Sequence, residues 1–196
     1  MLQYQTFIDQ LPPKGERAYP TQAQLTFYAD YLPSGLLELW ESHGFGFYGD
    51  DGFQLIDPDV YRDNLWGWLL RDDGDMDRLP IAITAFGEVL YYRSLSDEGD
   101  EDVCILNPHT SEGWVLIWSA DDFFNQWCCD RGNYEEVTNL NLYKEAEQRF
   151  GALKPNEMFY FTPALRLGGA EKLEHISKGN ALVHLDLLLQ MALGGN

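Results

Sequence analysis

Basic residues are scarce in this 196-residue chain. It contains 13 Lys and Arg against 32 Asp and Glu, which gives a formal net charge of −19 at pH 7. Because nucleic-acid binding depends on Lys and Arg that neutralise phosphates, the composition argues against a nucleic-acid-binding protein. The same deficit argues against an anionic membrane surface. The charge favours a cationic partner, which would be either a metal ion or a basic protein.

Long hydrophobic runs and paired cysteines are also missing. No apolar run reaches the roughly 18 residues of a transmembrane helix, and the N-terminus does not follow the pattern of a secretory signal. The cysteines are Cys104, Cys128 and Cys129, and an odd number with an adjacent pair does not form a disulfide framework. We therefore expect a cytoplasmic protein whose thiols are reduced and mostly buried.

Catalytic signatures are absent as well. The sequence has no Gly-x-Ser-x-Gly elbow, no phosphate-binding Gly-x-x-x-x-Gly-Lys and no Gly-x-Gly-x-x-Gly that opens a helix. The four histidines share no metal-ligand spacing. The pattern Asp73-x-Asp75-x-Asp77 could begin a calcium loop, but Arg78 and Thr84 occupy the positions that require glycine and an acid. We therefore predict no catalytic residues, no metal site, no cofactor and no hydrolase or nuclease activity.

Aromatic residues are abundant, with 6 Trp, 11 Tyr and 11 Phe. Disordered chains combine a high net charge with few aromatics, so this composition indicates a folded protein. A chain of this length buries roughly 70% of its unfolded surface, which is enough for a sizeable core. The length predicts one domain, or two small ones that share an interface.

Local patterns predict helices that alternate with short strands. Thr21 and Gln24 form a capping box, Pro33 opens a helix that stops at Gly44, and Asp57-Pro58 starts another. Strands are predicted at Phe45–Tyr48, Phe53–Ile56, Ile81–Ala85, Val89–Arg93, Val103–Leu106, Trp114–Trp118 and Met158–Phe161. The mixture predicts an α+β fold of short antiparallel strands packed with helices, either as one unit or as two subdomains sharing one core.

Three further helices are predicted after residue 118. Ser119 caps the first, which we expect to end at Gly132, and the second stops at Gly151. The third covers Ala181–Leu193 and is apolar on almost every side. That pattern predicts a buried helix rather than a surface helix.

The negative charge is concentrated in one part of the sequence. Between Glu41 and Asp130 there are twenty acidic and four basic residues, a net charge of −16. Two dense segments in this region contain glycine and flank apolar runs, so both are predicted to be loops. Their acidic residues are Asp72, Asp73, Asp75 and Asp77 in the first segment and Asp97, Glu98, Asp100, Glu101 and Asp102 in the second.

Two blocks of sequence resemble known bacterial domains. The first block is Leu32-Pro33-Ser34-Gly35-Leu36-Leu37-Glu38-Leu39-Trp40, Gly44-Phe45-Gly46, Asp57-Pro58 and Thr84-Ala85-Phe86-Gly87-Glu88. It resembles the GAD-like domain. The second block is Phe150-Gly151, Asn156-Glu157-Met158, Pro163-Ala164-Leu165, Leu167-Gly168-Gly169, Leu173-Glu174, Lys178 and His184-Leu185. It is similar to the C-terminal domain of type VI secretion immunity proteins.

The resemblance implies a division of the chain and a function. Residues 1–20 lie outside it and are unassigned, 21–131 would be the GAD-like domain, and 132–196 the immunity-family domain. The family implies a cytoplasmic antidote that binds and silences a secreted nuclease toxin, usually a DNase. The toxin domain is expected to be basic, and neither nucleic acid nor membrane is an expected partner.

The predicted toxin-binding residues are the two acidic segments and nearby anchors. Affinity requires a desolvated aromatic or aliphatic side chain beside the acids, and Trp66, Trp68 and Met76 are the nearest by sequence. Solvated loops that only keep the protein soluble are the alternative. A different function also remains open: an enzyme or small-ligand-binding domain whose pocket is lined by Trp66, Trp68, Tyr91 and Tyr92. The competing interpretation is that these four aromatics build the core.

Overall fold

The fold is α+β, with one large antiparallel sheet, a small two-stranded sheet and helices packed on both faces. The computed structural model describes residues 2–50 and 52–194. The large sheet is a meander in which the strands follow chain order. Its strands are β1 (Pro13–Ala18), β2 (Phe45–Tyr48), β3 (Phe53–Leu55), β4 (Arg78–Ile83), β5 (Val89–Ser94), β6 (Glu101–Asn107) and β7 (Glu112–Ile117). The small sheet pairs β8 (Glu157–Phe161) with β9 (Ile176–Asn180).

Eight α-helices are described alongside the sheets. They are α1 (Gln5–Gln10), α2 (Gln22–Tyr28), α3 (Ser34–His43), α4 (Pro58–Leu69), α5 (Ala120–Asp122), α6 (Arg131–Thr138), α7 (Leu140–Phe150) and α8 (Ala181–Gly194). The predicted helix starts are confirmed: Thr21 and Gln24 form the capping box, and the Asp57 carboxylate accepts a hydrogen bond from the Asp59 amide. Ser119 likewise caps α5.

Each face of the large sheet has its own hydrophobic core. One face carries Leu79, Leu90 and Ile105 and packs against α1, α3 and a π-helical turn at Phe123–Trp127. The opposite face carries Val89, Tyr91 and Cys104 and packs against α4 and α8. Alternation along β5 and β6 thus buries every second residue on each side.

The small sheet attaches to the large one through backbone and amide contacts. The Phe159 amide donates to the carbonyl oxygen of Ala85 at 2.8 Å. The buried Gln54 side chain donates to the Glu157 carbonyl at 2.9 Å and accepts from the Asn156 amide at 3.0 Å. These bonds satisfy polar groups that would otherwise be buried without partners. They fix the C-terminal hairpin against β3 and the β4–β5 turn.

The N-terminal segment, unassigned in the sequence, is part of the core. Tyr4 and Phe7 are fully buried, and the Tyr4 ring stacks on Phe124 with centroids 4.5 Å apart. β1 pairs with β2 and forms one edge of the large sheet. The predicted strands at Phe45–Tyr48 and Phe53–Ile56 are confirmed as β2 and β3, which pair as an antiparallel hairpin; Asp51 in its turn lies outside the described residues.

Two predictions about helices are wrong. The helix that starts at Ser119 does not continue to Gly132: it ends after the π-helical turn, and Asp130 caps α6 by accepting from the Gly132 and Asn133 amides. The second error concerns α8, which is not buried on all sides. Its exposed apolar side chains include Val183, Leu187, Met191 and Leu193. Only one face of α8 packs against the rest of the protein, so the apolar residues on its other face are exposed to solvent.

Gly44 occupies a backbone conformation that side chains disfavour, and we expect its substitution to destabilise the protein. Its φ is +73°, and a Cβ there would lie 2.4 Å from the Ala18 carbonyl oxygen. Because both backbone strain and a backbone clash oppose it, Gly44→Ala should lower the free energy of unfolding by about 3 kcal/mol. Gly74 is a matched control, with φ +98° and no atom within 4 Å of the added Cβ. Gly74→Ala should cost only about 1 kcal/mol. Urea denaturation measures both, and equal losses would contradict the clash.

Candidate functional site

The two acidic segments of the sequence meet at one end of the large sheet. Arg78 at the start of β4 pairs with Arg93 near the end of β5, and Arg93 pairs with Asp102 near the start of β6. The Ser94 amide donates to the Asp77 carbonyl at 2.9 Å. The loop before β4 and the β5–β6 turn are therefore neighbours, although about 20 residues separate them in sequence. We call this region, formed by residues 70–77, 95–100 and Trp118, the acidic end.

Some of the predicted carboxylates are held inside the protein by partners. Asp75 forms ion pairs with Arg78 at 2.9 Å and with Arg71 at 3.7 Å. Glu101 accepts hydrogen bonds from the Tyr92 hydroxyl and the Ala120 amide, both at 2.8 Å. The carboxylates of Asp75 and Glu101 therefore hold the loop and the start of α5 in place.

Asp102 is fully buried, which corrects the prediction that the whole second segment is a loop. Both Glu101 and Asp102 belong to β6, because they pair with Ser94 and Arg93 of β5. The Asp102 carboxylate binds the Arg93 guanidinium through two oxygens, at 2.7 and 2.5 Å. This contact holds the pKa of Arg93 above its ordinary value. Asp102 has no surface to offer a partner.

Six carboxylates remain exposed at the acidic end. They are Asp72, Asp73, Asp77, Asp97, Glu98 and Asp100. Asp100 accepts from the Ser96 hydroxyl at 2.8 Å, which shapes the β5–β6 turn. The remaining acids face solvent together. The structure thus concentrates negative potential on one surface, and such a surface attracts cationic partners.

The anchor residues predicted from sequence are poorly placed for contact. Trp66 is only 3% exposed, and its indole donates to the Arg78 carbonyl at 2.8 Å. Met76 is half-buried and packs against the core of the sheet. Trp68 is half-buried beneath the Arg166 guanidinium, which lies 5.3 Å from the ring centroid. Burial therefore removes Trp66 from the candidate surface and limits the other two.

Exposed apolar side chains at the acidic end come from positions that the sequence did not single out. Trp118 is 69% exposed and Leu95 is 42% exposed. Together with Gly99, Asp100 and Glu101, they line a groove of about 530 Å³. The sequence feature that could have indicated this exposure is that Trp118 lies at the very end of a predicted strand. In the structure it follows Ile117, the last residue of β7 to pair with β6, so no residue of β6 lies opposite Trp118.

The four aromatics of the alternative pocket do not converge. Tyr91 and Tyr92 are neighbours in β5, so their rings lie on opposite faces of the sheet and belong to different cores. Trp66 packs with Tyr92, and Trp68 packs with the core of the other face. These residues stabilise the fold, as the competing interpretation predicted.

The thiols and histidines have structural environments. Burial raises the pKa of Cys128 well above its ordinary value and also raises the pKa of Cys129, which disfavours a nucleophilic thiolate. His109 donates from Nε2 to the Phe86 carbonyl at 2.9 Å, and His184 stacks on Tyr160. Within residues 2–50 and 52–194, no group of three or more acidic, His or Cys side chains is placed to hold a metal ion. No helix in the same ranges is long and apolar enough to cross a bilayer.

Comparison with known families places two domains along the chain. The GAD-like domain model matches residues 2–99. The model described as T6SS immunity protein Tdi1, C-terminal, matches residues 119–192. No curated protein matches the sequence significantly.

A solved structure with a similar fold is the crystal structure of Atu4351 from Agrobacterium tumefaciens. The two chains are 16% identical and superpose with a TM-score of 0.78. The match covers 95% of this chain and 88% of that chain. At this identity the similarity shows a common fold.

Proposed function

We propose a function from the family of this chain, because it belongs to the GAD-like domain proteins and carries the C-terminal domain of the T6SS immunity protein Tdi1. The proposed function is that of a cytoplasmic immunity protein, which binds a cognate type VI secretion toxin and blocks it by direct contact. The toxin is proposed to be a DNase. Protection is proposed to come from binding, with no catalytic step.

The acidic end is the observation that supports a nuclease as the target. A DNase presents basic side chains to the phosphates of its substrate. Six exposed carboxylates on one surface can pair with those basic side chains in place of the phosphates. Trp118 and Leu95 are exposed beside these carboxylates, and the toxin would bury them on binding. Such buried apolar contacts contribute affinity that exposed carboxylates alone do not provide. Charge steers the encounter, and the apolar residues hold the complex.

Fast association would serve this function, because an antidote must bind before the toxin cuts DNA. Opposite fields raise association rates toward roughly 10⁸–10⁹ M⁻¹s⁻¹ at low salt. The screening length shrinks from about 10 Å at 0.1 M salt to about 3 Å at 1 M. We therefore expect the association rate to fall by about tenfold or more across this range, while the dissociation rate changes less. Stopped-flow mixing with the toxin measures both rates.

The experiment that tests the function is co-expression with candidate type VI secretion toxins, sought first among the genes beside the one for this chain. We expect the two proteins to copurify, the cells to survive and DNA cleavage by the toxin to stop. An empty vector and an unrelated acidic protein are the controls. Survival without a complex, or a complex that still cleaves DNA, would contradict inhibition by direct contact.

Two neutralised variants locate the charge that matters. One replaces Asp72, Asp73 and Asp77 with Asn; the other replaces Asp97, Glu98 and Asp100 with Asn or Gln. We expect each variant to lower the association rate. A third variant that neutralises Asp30, Glu41 and Asp63 removes the same number of exposed charges elsewhere. If all three variants bind and protect like the parent, the acidic end is a solubility device and the interface lies elsewhere.

A further inference from the structure

The two edges of the large sheet differ in chemistry. β1 forms one edge and carries Pro13, Lys14 and Arg17, and its register with β2 is interrupted. Proline and basic side chains are devices that stop an edge from pairing with another strand, so we call β1 the protected edge. β7 forms the other edge and has neither proline nor a basic residue over Glu112–Ile117. Its register with β6 is also interrupted, at Leu116, so the two edges differ in residue chemistry and not in regularity of pairing.

β7 also presents apolar surface to its surroundings. Among the residues that the structure describes, β7 pairs with β6 and no other strand. Its first three residues are exposed, and Trp114 is 48% exposed. An exposed edge strand with a large aromatic is a template for an additional strand.

A cleft of about 550 Å³ runs beside β7. It is lined by the consecutive residues Trp114, Val115 and Leu116. Val115 packs toward one core and Leu116 toward the other. The lining also includes Ile105 of β6, Trp127, and Asn133 and Val137 of α6, so the cleft extends from β7 over one face of the sheet. It borders the position beside β7 that an added strand would take.

The cleft is acidic. Its lining includes Glu88, Glu135 and Glu171, and no Lys, Arg or His is among its described lining residues. Glu135 pairs with Arg131 at 2.6 Å, and Glu171 accepts from Asn139 at 3.3 Å. Glu88 accepts a hydrogen bond from the Thr84 hydroxyl. Burial raises the pKa of Glu88, and an adjacent cation would lower that pKa again.

We propose that β7 is an augmentation site, at which an extended basic segment of the toxin adds to the sheet as an eighth strand. The proposal rests on the proposed function and names the contact that the toxin makes. Main-chain hydrogen bonds to β7 hold the segment, and its alternate side chains enter the cleft toward Glu88 and Glu171. A second copy of this chain is the wrong partner, because it carries a net charge of −19 and brings the same carboxylates.

Hydrogen–deuterium exchange on the complex with the toxin tests the proposal. We expect amides of residues 112–117 that point away from β6 to exchange at least tenfold more slowly in the complex. Amides of residues 13–18 on the protected edge should be unchanged. A complex that forms while β7 stays unprotected overturns the added strand and leaves the immunity function intact. Failure to form any complex overturns both. A dimer of this chain alone, seen by light scattering with β7 protected, also overturns it.

Substitutions at Trp114 give a second measurement. Trp114→Lys introduces the residue that blocks natural edges and repels a basic segment. We expect it to weaken toxin binding at least tenfold, and Trp114→Glu to weaken it less. Phe27→Lys is the matched control, since Phe27 has the same 48% exposure on α2, and its affinity should be unchanged. Thermal unfolding verifies that each variant folds. Equal affinities for the two Trp114 variants would overturn the basic character of the segment.

Discussion

Asp102→Ala is expected to lower the free energy of unfolding by about 3 kcal/mol. Removing one partner of a buried ion pair leaves the other charge uncompensated, at a cost of about 3–5 kcal/mol. The lower end applies because the Arg93 side chain retains 25% of its exposure, while Asp102 has none. Cys104 also loses an acceptor for its thiol at 3.4 Å. Urea denaturation monitored by tryptophan fluorescence measures the loss.

Two variants show whether the ion pair causes this loss. Asp97→Ala removes an exposed carboxylate of the β5–β6 turn and should change stability by less than about 0.5 kcal/mol. Asp102→Asn preserves the shape and one acceptor, so it should be less damaging than Asp102→Ala. An Asp102→Ala protein as stable as the Asp97→Ala protein would mean that Arg93 finds another partner or sufficient water.

Trp118→Ala is expected to cost about 2–4 kcal/mol of binding free energy to the toxin, roughly 30- to 1,000-fold in affinity. The side chain lines the same groove as Leu95 and Asp100, so a partner that covers the acidic end also desolvates the indole. The loss should appear mainly in the dissociation rate, because steering by charge is unaffected. Surface plasmon resonance measures both rates.

Tyr19→Ala provides the comparison for Trp118. Tyr19 is 58% exposed and lies between β1 and α2, away from the acidic end. Its truncation should leave toxin affinity unchanged. Both variants should keep parental stability to within about 0.5 kcal/mol, as is usual for exposed positions. If Trp118→Ala binds like the parent, the acidic end acts without this anchor.

Much of the fold could be predicted from local chemistry. The capping residues Thr21, Asp57 and Ser119 act over one helical turn. Short apolar runs mark the strands from β4 to β7. The predicted α+β class is confirmed. β1 was not predicted, because Pro13, Gly15 and the charged residues around them do not form an apolar run. It forms a strand only because β2 supplies the pairing.

The candidate surface was less predictable, because exposure depends on distant parts of the chain. Asp102 and Asp100 look alike in sequence, and only the pairing of β5 with β6 separates the buried one from the exposed one. The exposure of Trp66 and Trp118 also cannot be told apart from the sequence, because it depends on which distant elements pack against each side chain. The order of residues did show that the negative charge is concentrated between Glu41 and Asp130. It could not predict that two acidic segments become neighbours.

The stacking of Tyr4 on Phe124 has a consequence for synthesis of the protein. The N-terminal helix leaves the ribosome first, yet the ring it packs against is made 120 residues later. Contacts of such separation form late, since a long loop must close before they contribute. Until then the aromatic face of the sheet that α1 covers stays open. The chain completes its fold only after most of it has been translated, so under the proposed immunity function a cell would be protected by molecules finished before the toxin arrives.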